Sequence, residues 1–350
     1  MSTIIDNEVV VLVDGERFRF WTDISITHPI DGIQTVEIQA PFDAEDKVFR
    51  KTFQPLSYKP FNVLVNDESY FVGTMVPAVP RLTPESSVIA AGAYSLPGVL
   101  AECTPSPNSL PLEVDKQNLH EIADKYIKPY GINIDAQVEP GPIFKKIKTE
   151  PSKKILPFLV ELAKQRNQII SNNNVGDLVF WRAVETGLPV AVLEQGLSPL
   201  IGVTPTIKSS EYYSSITGIK TIKPRSKSSV SFTVENNLLS NIERPYIFVV
   251  PDALDGDLET AVKSKISRMY ANAVSYTLAV ATWRDGKGDI WQPNTKVKVK
   301  APNAMIYNYY DFIIRSVTLK KSKTEETALL DVMVPGSLGD DKPGKMPWEE

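Results

Sequence analysis

Residues Ile155–Phe180, ILPFLVELAKQRNQIISNNNVGDLVF, read as a helix followed at once by a short strand pair. Ile155, Leu159, Leu162, Ala163 and Arg166 recur at helical spacing and so line one side of a helix. Ser152 stands where a hydroxyl could cap its first free amides. Pro157 falls in the first turn, where a missing N–H costs little. Ile169-Ile170-Ser171 and Leu178-Val179-Phe180-Trp181 then read as a hairpin around Asn172-Asn173-Asn174 and Gly176. Just upstream, Leu119, Ile122, Ala123, Tyr126 and Ile127 repeat at the same spacing, Gly131 stops the helix, and Ile132-Asn133-Ile134 is a strand. The middle of the chain is therefore a small α/β module of two helices.

Outward from this module the period changes to two. Before it, Glu8–Val13 meets the turn pair Asp14-Gly15, after which Arg17-Phe18-Arg19-Phe20 alternates. Ile24–His28, Thr35–Gln39, Phe61–Val65, Tyr70–Gly73 and Ser87–Gly92 follow as short strands, with a turn at Asn66-Asp67. Such a series is expected to form a closed barrel or a sandwich. Pro97, Pro105, Pro107 and Pro111 mark the crossover into the module.

After about Pro205 the β pattern returns with Ser215–Lys220, Ser229–Val234, Tyr246–Val250, Tyr276–Trp283, Lys296–Lys300, Phe312–Leu319 and Ala328–Val334. One helix interrupts it. Asp255-Gly256-Asp257 supplies an acidic start, and Leu258, Ala261, Val262, Ile266, Met269, Tyr270 and Ala273 its apolar side. Residues beyond Pro335 are rich in glycine, proline and acids and are expected to form a flexible tail. No short repeat is visible, yet two β modules of similar size leave room for duplicated architecture.

The chain has 350 residues, enough for two to four domains. Its formal charge of −4 lacks the basic excess of a dedicated duplex binder. Lys320-Lys321-Ser322-Lys323 reads as a solvated hairpin tip. A single cysteine, Cys103, rules out an internal disulfide and suits a reducing cytosol. The N-terminus lacks the basic start and apolar stretch of a signal peptide, and no apolar run approaches the roughly 18 residues of a membrane span. Synthesis in a cytoplasm is expected.

Patterns that carry catalysis are missing. Two distant histidines, His28 and His120, with one cysteine do not make a zinc site. Gly196-Leu197-Ser198-Pro199-Leu200 lacks the second glycine of a nucleophile elbow and reads as a loop. Asp285-Gly286-Lys287-Gly288-Asp289 joins two strands and reads as a hairpin, not a phosphate loop. Asp252, Asp255, Asp257 and Glu259 depart from calcium-loop spacing and read as helix capping. A pair of carboxylates for glycan hydrolysis can be neither selected nor excluded among 42 acidic residues. No catalytic, cofactor or metal residue is assigned. The aromatic group Tyr307, Tyr309 and Tyr310 beside Met305 suits either a protein interface at a loop tip or ordinary β packing.

The ordered series ISITHPIDGIQTVEIQAP (Ile24–Pro41), YFVGTMVPAVPRL (Tyr70–Leu82), LHEIADKYIKPYGINI (Leu119–Ile134), Ile155–Phe180, RPYIFVV (Arg244–Val250), ATWRDGKGDIWQPNTKVKVKAP (Ala281–Pro302) and YDFIIRSVTLKKS (Tyr310–Ser322) resembles the baseplate hub family of Mu-like contractile phages. That family is related to the late-control D proteins and the hub part of VgrG spikes. The resemblance spans about residues 5–335. Arg284-Asp285 after Trp283 departs from the pattern, and no spike or peptidase segment follows residue 335, as in a stand-alone hub.

The resemblance implies a mainly β, α+β chain with two tube-like antiparallel β-barrels. On that pattern the first barrel is 1–102, the α/β module 103–204, and the second barrel 205–245 with 275–337. Residues 246–274 are then an inserted strand and helix, and 338–350 a flexible tail. It further implies a homotrimer that adapts a three-fold spike below to a six-fold tail tube above, nucleates that tube, contacts other baseplate proteins and lets DNA pass without gripping it. The expected location is the virion, at the tail baseplate. Two other readings carry distinct signatures: a tail-associated cell-wall hydrolase with a carboxylate cleft, and a glycan- or receptor-binding tail protein with exposed aromatic platforms.

Overall fold

The alternation seen in Thr35–Pro41 becomes a strand whose residues are exposed and buried in strict turn, and the same rule builds most of the molecule. In this computed structural model the described residues are 7–76, 79–83, 87–221, 229–250, 258–338 and 343–349. The first β unit holds β1 (Val9–Val13), β2 (Glu16–Phe18), β3 (Asp23–Pro29), β4 (Thr35–Pro41), helix α1 (Lys47–Thr52), β5 (Pro60–Val65), β6 (Glu68–Met75), β7 (Val79–Leu82) and β8 (Ser87–Ser95). Its hairpins turn tightly: Asp14 and Gly15, and likewise Asn66 and Asp67, all adopt positive φ, as a two-residue mirror-image turn requires.

The middle module follows as α2 (Val99–Glu102), β9 (Glu113–Gln117), α3 (Leu119–Ile127), β10 (Ile134–Ala136), β11 (Phe144–Lys148), α4 (Ile155–Lys164), β12 (Ile169–Asn172) and β13 (Leu178–Trp181). Leu119, Ile122, Tyr126, Ile155, Leu159, Leu162, Leu178 and Phe180 form its own core. Asn118 and Glu121 close a capping box on α3. α4 begins differently from the sequence expectation: its N-cap is Lys154, without a side-chain cap, so Ser152 does not serve. The helix is held instead by burial of Ile155, Phe158, Leu159, Leu162 and Ala163.

The chain then continues through β14 (Ala191–Glu194), β15 (Leu200–Ile207), β16 (Ser215–Thr221), β17 (Ser229–Glu235), β18 (Pro245–Val249), α5 (Leu258–Ala273), β19 (Val274–Val280), β20 (Lys296–Ala301), β21 (Ile306–Ser322) and β22 (Glu326–Met333). Three domain expectations change here. β14 and the first five residues of β15, placed by sequence in the 103–204 module, pair with β20 and β19 and so belong to the second β unit. β16 and β17, expected in the second barrel, form a separate three-stranded sheet with β18. α5 covers one face of that sheet, packing Val262 so close that a Cβ on Gly218 would lie 2.5 Å from its side chain. The acidic start at Asp255–Asp257 and the candidate Asp252 lie outside the described residues, while Glu259 pairs with Lys263 within the helix.

The third change is at the C-terminus. Met346 is buried, Trp348 packs on the main core, and Tyr310 donates its phenol proton to the Lys345 carbonyl at 2.7 Å. Residues 343–349 are thus docked rather than loose.

The mainly β class with an α/β module between β units holds. The two β units are two halves of one 14-stranded sheet, in which β3 of the first lies beside β21 of the second. Among the described residues no strand pair closes either unit into a barrel. Each unit runs through six strands in the same order of pairing. The first reads β3-β4-β8-β6-β5-β1 and the second β15-β19-β22-β21-β20-β14. Matched one to one, these strands also follow each other identically along the chain. The terminal strand alone differs in sense, β1 lying antiparallel to β5 and β14 parallel to β20. The duplicated architecture is carried by topology rather than by repeated sequence.

A buried polar cluster docks the module onto the first unit. His28 donates from Nε2 to the Asn172 carbonyl at 3.0 Å, and the Gln34 amide donates to Asn172 Oδ1 at 2.6 Å. Ser171 donates toward the Pro29 and Gly32 carbonyls, and the Trp181 indole to the Ile30 carbonyl at 2.8 Å. Because such groups are costly to bury unpaired, this network fixes one docking geometry.

Candidate assembly surfaces

β21 determines where the candidate interface residues lie. Its residues alternate faces, so Tyr309 points out, 48% exposed, and Tyr310 points in, 8% exposed. Met305 and Tyr307 are exposed beside Tyr309. Three of the four sequence-selected residues share the outer face or its rim, and Tyr310 is a core residue packed at a tilt against Phe312. They sit at the start of a long strand rather than at a loop tip.

The outer face around Tyr309 is a charge ladder. Val192, Lys298 and Asp311 occupy one row across β14, β20 and β21, and Glu194 and Lys300 open the next. Tyr309 donates its phenol proton to Glu194 Oε2 at 2.7 Å, and Lys300 lies 3.5 Å from the same carboxylate and over the Tyr309 ring. The Tyr309 hydrogen bond holds the Glu194 carboxyl below its usual range, and Glu194 in turn raises the phenol. Lys296 and Lys298 both face Asp311, at 3.5 and 3.6 Å. These side chains are half-buried, and surface ion pairs of this kind add little stability.

The larger unsatisfied surfaces are backbone edges. β15 pairs with β19 on one side and has no partner on the other among the described residues, and β7 likewise pairs with β8 alone. Both edges are apolar for exposed strands: Ile201 is 61% exposed, Val79 57%, and Ile207 is also exposed. Each carries a proline, Pro205 and Pro80. A proline inside an alternating segment is the sequence signal that could have marked these as edges.

A groove of about 850 Å³ runs between the β1–β2 hairpin and the β21–β22 tip. Of its two carboxylates, Glu325 and Glu326, the second is engaged by Asn7 and by Lys321 Nζ at 3.0 Å. Lys321, expected in solvent, turns inward to make that pair. Burial pushes the His28 imidazole down to about 4, and His120 is also lowered by burial while packed on Phe180. Among the described residues no group of three or more His, Cys, Asp or Glu is placed to hold a metal ion. Arg284 and Ile290 bridge as a hairpin across the Asp285–Asp289 turn, as its sequence suggested.

A family model described as baseplate hub protein gp44-like, second domain, matches residues 97–182, the α/β module. The baseplate hub protein gp44 of Escherichia phage Mu is 21% identical over 329 residues, covering 90% of this chain and 84% of that protein. The family model and the phage Mu protein together support a baseplate hub of a Mu-like phage. Two solved structures share the fold of this chain over nearly its whole length. The 43 kDa tail protein of prophage MuSo2 from Shewanella oneidensis superposes with a TM-score of 0.81 at 21% identity, covering 95% of this chain and 99% of its own. The tail protein from Neisseria meningitidis MC58 gives 0.79 at 17% identity, covering 96% and 99%.

Proposed function

We propose that this hub works as a homotrimer that adapts a three-fold spike to a six-fold tail tube and nucleates that tube. The observation that carries the reading is the repeated strand order of the two β units. One chain holds two units of one topology side by side, so three chains supply six. A trimer of this chain then presents three equivalent surfaces toward the spike and six similar ones toward the tube. The units divide as residues 7–95 and, for the second, about 185–207 with 274–334. The module between them and the inserted sheet with α5 stand outside this core.

On this reading the Tyr307–Tyr309–Met305 face contacts neighbouring baseplate or tube subunits. DNA passes the channel without specific contacts, and the chain, made in the bacterial host's cytoplasm, ends in the virion. It is a structural protein, not a hydrolase. Electron microscopy of the purified protein in top view tests the reading. Rings with six lobes of two alternating kinds support it, and particles with any other lobe number oppose it.

A further inference from the structure

We propose that the open edge of β15 in one copy pairs antiparallel with the open edge of β7 in the next, placing Thr206 opposite Val79 and Thr204 opposite Arg81. The inference rests on the three-copy reading above and adds the seam between copies.

The same seam is already present within the chain. There β3 lies against the second half of β21, with Thr27 opposite Thr318 and Ile26 opposite Leu319. The equivalent of β3 in the second unit is β15. The equivalent of β21 in the first unit is β6 continued by β7. β21 carries a one-residue bulge against β22: from Ile314↔Val332 to Thr318↔Leu329 it advances four residues while β22 advances three. The pairings of the first unit show the same offset. From Met75↔Ala93 to Val79↔Ala90 its chain advances four residues while β8 advances three. Met75 is thus equivalent to Ile314 and Val79 to Thr318. The end of the neighbouring pairing agrees, since Thr74 opposite Pro60 matches Ile313 opposite Lys296.

Stepping across the strands gives the other side. Ala93 opposes Val36, which opposes Ile26, and Val332 opposes Tyr276, which opposes Pro205. Ile26 is therefore equivalent to Pro205, and Thr27 to Thr206. The partner that Thr27 finds in Thr318 of its own chain, Thr206 can find only in Val79 of another. Both edges are exposed and unpaired among the described residues, as such a seam needs.

The prolines set its character. Ile30 donates to the Arg315 carbonyl at 2.7 Å, so alternate positions, including Ile26 with Leu319, are the hydrogen-bonded pairs of the internal seam. Their equivalents are Pro205 and Pro80, neither of which can donate. Lys208 donates to the Ala273 carbonyl in the β19 ladder, which turns the Pro205 nitrogen toward the open edge. The seam between copies therefore has fewer hydrogen bonds than the seam within the chain. Lone copies are kept from indiscriminate strand addition, while a closed ring, making every seam at once, can hold.

Thr206 and Val79 fall at a non-hydrogen-bonded pair, where Cα atoms approach to about 4.5 Å, within disulfide reach. The test is oxidation of a Cys103→Ser protein carrying Val79→Cys and Thr206→Cys, read on a denaturing gel. The comparison protein carries Arg81→Cys and Thr206→Cys, which are out of register. Covalent trimer from the first and mainly monomer from the second is expected. No covalent oligomer from the first, or equal yields from both, overturns the seam. Light scattering on the same samples separates the two proposals: a trimer without the matched cross-link keeps the hub reading and discards this register.

Discussion

Thr27 and Thr318 face each other across the seam of the two β units, their hydroxyls 3.1 Å apart although 291 residues separate them in sequence. This contact between the outer faces marks where two half-sheets become one. Replacing each by alanine, singly and together, should reveal a coupling of about 0.5–1 kcal/mol in denaturant unfolding, the usual size for a cross-strand hydroxyl pair. Strict additivity would mean the hydroxyls do not bond in solution.

His28 predicts an acid response. Its folded pKa, lowered by burial to about 4, lies below the ordinary 6.5, so between those values the unfolded chain binds a proton that the folded chain refuses. Stability is whole above pH 6.5 and falls as pH drops toward 4. The loss between pH 7 and 4.5 from this group is about 2 kcal/mol. His28→Gln, which can still donate to Asn172, should flatten that part of the stability-versus-pH curve. An unchanged slope in the variant would show that His28 is not the group responsible.

Gly73 has no room for a side chain. A Cβ there would lie 2.1 Å from the Tyr94 carbonyl oxygen and 2.7 Å from the Phe71 ring, and the carbonyl is backbone in a paired strand. Gly73→Ala should therefore cost about 2–3 kcal/mol, at the upper end for overpacking, seen as a lowered melting temperature. Gly15→Ala adds no contact within 4 Å and acts through its positive φ alone. A Gly73→Ala protein as stable as the parent would contradict the close approach of β6 and β8.

Tyr309→Phe should let the Glu194 carboxyl rise toward its ordinary range, because the phenol proton is the first cause of its lowering. NMR titration of Glu194 reads this directly. Melting temperature should hardly move, since the pair lies at the surface. A carboxyl that titrates identically in the variant would place the Tyr309 hydroxyl elsewhere.

The same alternation explains what the sequence revealed and what it concealed. Thr35–Pro41 and Ile155–Lys164 were legible because one face of each is buried, and period alone reports that. Period does not say what covers the face. Ser215–Thr221 and Ser229–Glu235 bury one side against α5, yet read the same as barrel strands would. The tyrosines show the value of position within a strand: once β21 runs unbroken from Ile306, Tyr309 and Tyr310 must part company. Met346 and Trp348 were illegible because two apolar residues in a polar stretch make no pattern. The unit duplication was hidden because it lies in strand order, which only long-range pairing exposes.

The most direct test of the central claim is the mass of the purified hub in solution by light scattering across the micromolar range. The account predicts a stable species near three times 38.9 kDa. A protein that remains at 38.9 kDa throughout, or settles as a dimer, would contradict it.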